Sequence, residues 1–163
     1  GQTLQDTSRR LGLLGRRVYF LPAVPQAELL QHSASADLGI IPYPHVDLNS
    51  YYCTPNKLFE FIQAGLPILS NDSPELRRFV SEEGFGLVHA MSSPLHIANA
   101  IDLGFQQLSH SDWKQQLVIK RHAFAWNLQA DKYLAEMHSL IKAPGHPSTE
   151  IEIAFAASKD AIA

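Results

Sequence analysis

The sequence predicts a doubly wound α/β domain, a parallel sheet wrapped by helices. Three observations carry that reading. Short apolar runs rich in β-branched residues alternate with longer stretches of helical period, the pattern of strand–helix–strand units. One run, Leu38-Gly39-Ile40-Ile41, is apolar throughout, as a parallel strand covered on both faces should be. Several helical stretches open on proline, threonine or serine and close on glycine, which is how helices start and stop.

In chain order, Thr3 to Leu14 reads as a helix with Leu4, Leu11 and Leu14 near one face. Val18-Tyr19-Phe20-Leu21 reads as a strand, and Pro25 to Ser35 as a helix with proline in its first position. After the Leu38 to Ile41 strand, Pro42 to Cys53 reads as an irregular loop. Thr54 is expected to cap a helix from Pro55 to Ala64, which Gly65 ends. Pro67 to Ser70 is the next strand, Pro74 to Glu83 a helix capped by Ser73, and Gly86 to His89 the last strand. Two helices follow, Pro94 to Leu108 and Asp112 to Ile141. Pro144, Gly145 and Pro147 break the pattern, so residues 1–142 read as the domain and 143–163 as a tail.

Composition narrows the function classes. The 163 residues suit one domain with a real core, and 45% hydrophobic with 18% charged residues is a globular balance. A net charge of -3 gives neither a basic field for nucleic acid nor a polybasic face for anionic lipid. The single cysteine, Cys53, excludes an internal disulfide and a cysteine zinc cage and suits a reducing compartment. No apolar run approaches the roughly 18 residues of a membrane span. The expectation is a cytoplasmic protein whose only membrane association would be peripheral, at the inner face.

The chemistry gathers after the long loop. Ligands of open α/β sheets sit beyond the carboxyl ends of the strands, and this loop leaves such an end to enter Thr54-Pro55-Asn56-Lys57-Leu58-Phe59-Glu60. Lys57 is out of place there, since a cation in the first turn opposes the helix dipole at a cost of about 0.3–1 kcal/mol. Its placement makes sense if an anion docks on the free N–H groups, and a diphosphate is the obvious candidate. Glu60, on the same helix face, can accept from the two adjacent hydroxyls of a ribose. A plain surface ion pair between Lys57 and Glu60 fits the spacing equally well.

The stretch from Pro55 to Ile68, with Glu60-Phe61-Ile62-Gln63-Ala64-Gly65-Leu66-Pro67 at its centre, closely resembles the donor-binding signature of family 4 glycosyltransferases. Its surroundings resemble the family in order: Arg17-Val18-Tyr19-Phe20-Leu21-Pro22, a helix with Glu28-Leu29, Ala36 to Pro42, Asp72-Ser73-Pro74-Glu75, and Gly84 to Val88. The similarity covers about Arg16 to Leu108, and more loosely the last helix with Trp126. The resemblance implies the GT-B architecture, two Rossmann-like domains facing across a cleft, with this chain supplying the C-terminal, nucleotide-sugar-binding half. It implies a sugar transferred with retention and without a metal from a UDP-, GDP- or ADP-sugar to an unknown acceptor. Glu60 matches the glutamate that binds ribose, and Thr54, Pro55, Asn56 and Lys57 the helix start facing the diphosphate. Leu21 to Val24 match the loop flanking the base. Any catalytic contribution would fall to Lys57 and Glu60.

Two departures qualify the match. The family carries a further glutamate eight positions before Glu60, where this chain has Tyr52; Asp47 or Asn49 is the available polar substitute. The family's basic clamp follows a strand earlier than this chain begins. By that analogy one or two strands and the acceptor domain precede Val18, the isolated chain is inactive, and an open sheet edge favours a homodimer or rearrangement. A nucleotide-sugar epimerase of the same architecture and a non-catalytic α/β scaffold remain the alternatives.

Other signals read as structural. The eight histidines form no ligand pair; His45 in the loop and His89 at the end of the last strand are the weak cleft candidates. Neither a Gly-x-Gly-x-x-Gly nor a Walker loop is present, and Ser70 and Ser73 lack a nucleophile elbow. Glu75 suits the helix dipole where it stands. Trp113, Leu117, Phe124, Leu128 and Leu134 read as a core or docking face. Arg9-Arg10, Arg16-Arg17 and Arg77-Arg78 read as solvated pairs.

Overall fold

A computed structural model describes residues 2–108 and 111–141. The tail from residue 143 and His110 lie outside the described residues. The fold is the expected Rossmann-like α/β arrangement: three parallel strands, β1 (Gly39–Ile41), β2 (Ile68–Ser70) and β3 (Gly86–Val88), in the order β1-β2-β3. Gly39 pairs with Ile68, and Ile68 with Gly86. The helices are α1 (Gln2–Arg10), α2 (Gln26–Ala34), α3 (Leu48–Tyr52), α4 (Asn56–Ala64) and α5 (Pro74–Leu76), followed by α6 (Pro94–Leu108), α7 (Ser111–Lys120) and α8 (Trp126–Ile141).

Strand pleating divides the core. Ile41 and Ile68 face Leu58 and Ile62 of α4, Leu76 and Val80 of the helix after β2, and Phe85 and Leu117, all at most 1% exposed. The neighbouring Leu69 lies toward Gly104 of α6 on the other face. Helices therefore cover both faces of the sheet. Glycine sets the close approaches. A Cβ on Gly39 would stand 2.5 Å from the Phe61 ring of α4, and one on Gly86 would overlap the Ile68 carbonyl. Gly65 ends α4 in the left-handed conformation, φ 67°, where its missing Cβ avoids strain.

Five expectations are corrected. Val18 to Leu21 forms no strand. The Leu13 carbonyl accepts the N–H groups of Arg16, Arg17 and Val18, curling the segment through Gly15 at φ 72°. Only a single bridge, Leu14 to Val18, remains, because an apolar run needs a neighbouring ladder to become a strand. The first helix stops at Arg10 instead of Leu14, with Gly12 at φ 66° just beyond. The supposed irregular loop contains α3, capped by Asp47, whose carboxylate accepts the Ser50 N–H at 2.6 Å.

The helix after β2 widens into a π-helix over Arg77–Glu82, with the Glu83 N–H reaching the Arg78 carbonyl. The expected 112–141 helix is broken. A 3-10 turn, Arg121–Phe124, and an extended Ala125, ψ 137°, separate α7 from α8. Phe124 packs edge-on against Phe85 and Phe79, with centroids 5.2 and 5.8 Å apart, which pulls the chain out of helical register. The expected apolar face divides with it: Leu117 is buried, while Leu128 is 44% exposed.

Candidate functional site at the carboxyl edge

Each α/β crossover brings a helix back to the sheet by a short turn, residues 35–38 after α2 and 65–67 after α4. Both helices therefore start at the edge where the strands end, and α2 packs against α4. Val24 lies just before α2 and is half-buried. Thr54, Pro55, Asn56, Lys57 and Glu60 all belong to the opening of α4. The edge expected from sequence to carry the site does hold these residues.

The local geometry differs in one respect. Thr54 does not cap α4. The cap position is Pro55, φ -70° and ψ 144°, with no side-chain hydrogen bond to the first turn. Proline has no hydroxyl to offer, and its ring is buried, so it anchors the turn without covering its donors. The Leu58 N–H finds the Pro55 carbonyl at 2.9 Å. The amides of Asn56 and Lys57 meet no acceptor among the described residues. Both residues are exposed.

Lys57 and Glu60 are not paired. Neither side chain takes part in an ion pair or hydrogen bond among the described residues, so the surface pair allowed by their spacing does not form. The opening of α4 thus presents two free N–H groups and an ammonium beside a half-buried carboxylate. Dipole, amides and cation together suit a dianion. The carboxylate suits a vicinal diol next to it.

The neighbouring groups are already engaged. Arg77 grips Asp72 through Nε and Nη2 at 3.0 and 2.6 Å, which holds the guanidinium still more firmly protonated. Arg78 meets Glu75 at 3.7 Å, so Glu75 is spoken for, as its dipole-compatible position suggested. Asp47 is exposed, and its bond to the Ser50 N–H lowers its pKa. Asn49 and Tyr52 are also exposed, Tyr52 at the last position of α3 with its ring edge-on to Tyr51. His45 bonds to Asn71, a contact the sequence did not suggest. His89 follows β3, where its N–H donates to the Ser70 carbonyl.

Ser73 occupies the cap position of α5 without a capping bond, and its hydroxyl and that of Ser70 are buried without partners among the described residues. Among those residues no three His, Cys, Asp or Glu gather as metal ligands, and no helix is long and apolar enough to cross a membrane.

No family model matches the sequence, and no curated protein does. Among solved structures, the fold is similar to that of sucrose-phosphate synthase from Thermosynechococcus elongatus. The TM-score is 0.61 at 20% identity, covering 85% of this chain and 34% of that one. What the two share at that identity is the fold, a Rossmann-like α/β domain. This chain spans about a third of the length of that protein.

Proposed function

We propose that the chain is the nucleotide-sugar-binding domain of a glycosyltransferase, with the donor diphosphate at the opening of α4. The observation that carries the reading is the unpaired Lys57, set against the helix dipole beside two amides that have no acceptor. A cation left there without a carboxylate partner costs stability for no structural return, and a bound diphosphate reverses the sign of that cost. Glu60 takes the ribose hydroxyls, and Val24 flanks the base. The likeness to a sugar-transferring GT-B enzyme, together with the signature around Glu60, supports the class of reaction.

In the transfer, the bond between the sugar and the diphosphate breaks and negative charge grows on the departing phosphate oxygen. Lys57 and the Asn56 and Lys57 amides stabilise that charge where it develops, the electrostatic work that dominates such catalysis. Transfer with retention, the acceptor and any group acting on it belong to the complete enzyme.

Titration with UDP, GDP and ADP tests the reading. One of them is expected to bind, and Lys57→Ala or Glu60→Ala to weaken binding at least tenfold, about 1.4 kcal/mol, without loss of fold. If no diphosphate nucleotide binds, the reading fails. A scaffold role would then stand, and it has one observation of its own: Tyr52, 59% exposed, occupies the place where the resembling enzymes carry a second glutamate.

A further inference from the structure

The loop between β1 and α3 hangs on one side chain. Asn71 lies at the end of β2 and is 7% exposed. Its Oδ1 accepts the Tyr43 N–H at 3.1 Å, and its Nδ2 donates to the Tyr43 carbonyl. These partners fix the orientation of the amide, because a backbone N–H only donates and a carbonyl only accepts. The same Nδ2 stands 2.8 Å from His45 Nε2. With Nδ2 committed as donor, Nε2 must accept. The contact therefore calls for the tautomer with its proton on Nδ1.

A protonated imidazole has no lone pair left. It would set an N–H of His45 against an N–H of Asn71, and the contact would open. We propose that Asn71 and His45 form a proton-operated latch on the segment leading through α3 into α4. Neutral His45 completes the clamp between residues 43–45 and the end of β2, and protonation releases it. The latch acts on the loop itself and does not depend on any nucleotide being bound.

His45 is exposed, so a protonated ring would turn to water and away from Asn71. Tyr51 meets His45 edge-on at 5.0 Å. The ionisable groups on the adjoining elements are Tyr43, Asp47, Tyr51, Tyr52 and Cys53 around α3, Lys57 and Glu60 at the start of α4, Asp72, Glu75, Arg77 and Arg78 after β2, and His89 after β3. Asp72 is held by Arg77. Asp47 is held by the Ser50 N–H.

Two readouts test the latch in the nucleotide-free protein. Nitrogen NMR of the imidazole at alkaline pH is expected to show the Nδ1–H tautomer of His45. Hydrogen exchange of the Tyr43 amide, corrected for intrinsic rate, is expected to quicken about fivefold as the ring protonates, the factor that one ordinary hydrogen bond represents. His45→Gln offers an acceptor that does not titrate, so the corrected rate should stay slow throughout. His45→Leu should be fast throughout. An Nε2–H tautomer, or corrected Tyr43 exchange that ignores the protonation of His45, overturns the proposal. Because no ligand is present, failure here is distinct from failure of the nucleotide reading.

Discussion

The two ends of α4 are built on opposite terms. At its C-terminus the loose carbonyls are claimed. Gly65 closes the turn, Arg121 Nη1 donates to the Gln63 carbonyl at 2.9 Å, and the Gln63 side chain returns a bond to the Arg121 carbonyl. Nearby, Lys120 Nζ donates to the Glu83 carbonyl at the end of the adjacent helix. These cations stand where the helix dipoles want them. At its N-terminus less is claimed: the cap is a proline, two amides lack acceptors among the described residues, and a lysine sits where an acid would be more stable. One edge of the sheet is closed, and the other is where the proposed function places a ligand.

Substitutions at the closed edge should cost stability and leave ligand binding alone. Leu117→Ala removes a side chain 1% exposed that seats α7 on the core. It should lower unfolding free energy by about 2–5 kcal/mol, read by denaturant titration. Arg121→Ala breaks one arm of the reciprocal bond to Gln63 and should cost about 1–2 kcal/mol in the same assay. Neither should alter nucleotide affinity in the folded protein.

The open edge should behave in the reverse sense. Lys57→Glu turns an opposed charge into a favourable one, so stability should rise by about 0.3–1 kcal/mol while diphosphate binding disappears. If Lys57→Glu destabilises the chain, the lysine has a structural partner and the contrast between the edges is lost.

The smallest expected effect lies in α3. The Ser50 N–H lowers the pKa of Asp47, so the ionised carboxylate is favoured in the folded state. That contribution is present above the ordinary aspartate value of 3.8 and is lost as pH falls through the lowered one. The Ser50 amide resonance should move in that acid range while the core resonances of Ile68 and Leu69 hold.

How legible this was depends on what each element needs. Helices with chemical punctuation at their ends, such as Pro55 to Gly65, could be read to within a residue, because the stop is local. Val18 to Leu21 could not: its composition suits a strand, but pairing is a property of neighbours, and here the Leu13 carbonyl takes the Val18 amide and those of Arg16 and Arg17 before it. The break at Ala125 carries no proline or glycine and arises from Phe124 reaching Phe85 across the fold. The α3 helix did have a signal, Asp47 three residues before Ser50, which the tyrosines behind it masked. At the site, dipole reasoning identified Lys57 as misplaced. Whether it paired with Glu60 was a question of side-chain conformation that spacing leaves open.

The most direct test of the open-edge account uses inorganic diphosphate and the backbone amides. The account predicts that Asn56, Lys57 and Leu58 N–H resonances shift on titration, that Lys57→Ala suppresses the shift, and that Gln63, Gly65 and Arg121 at the closed edge stay in place. Shifts spread evenly over both ends of α4, or none at residues 56–58, would contradict it.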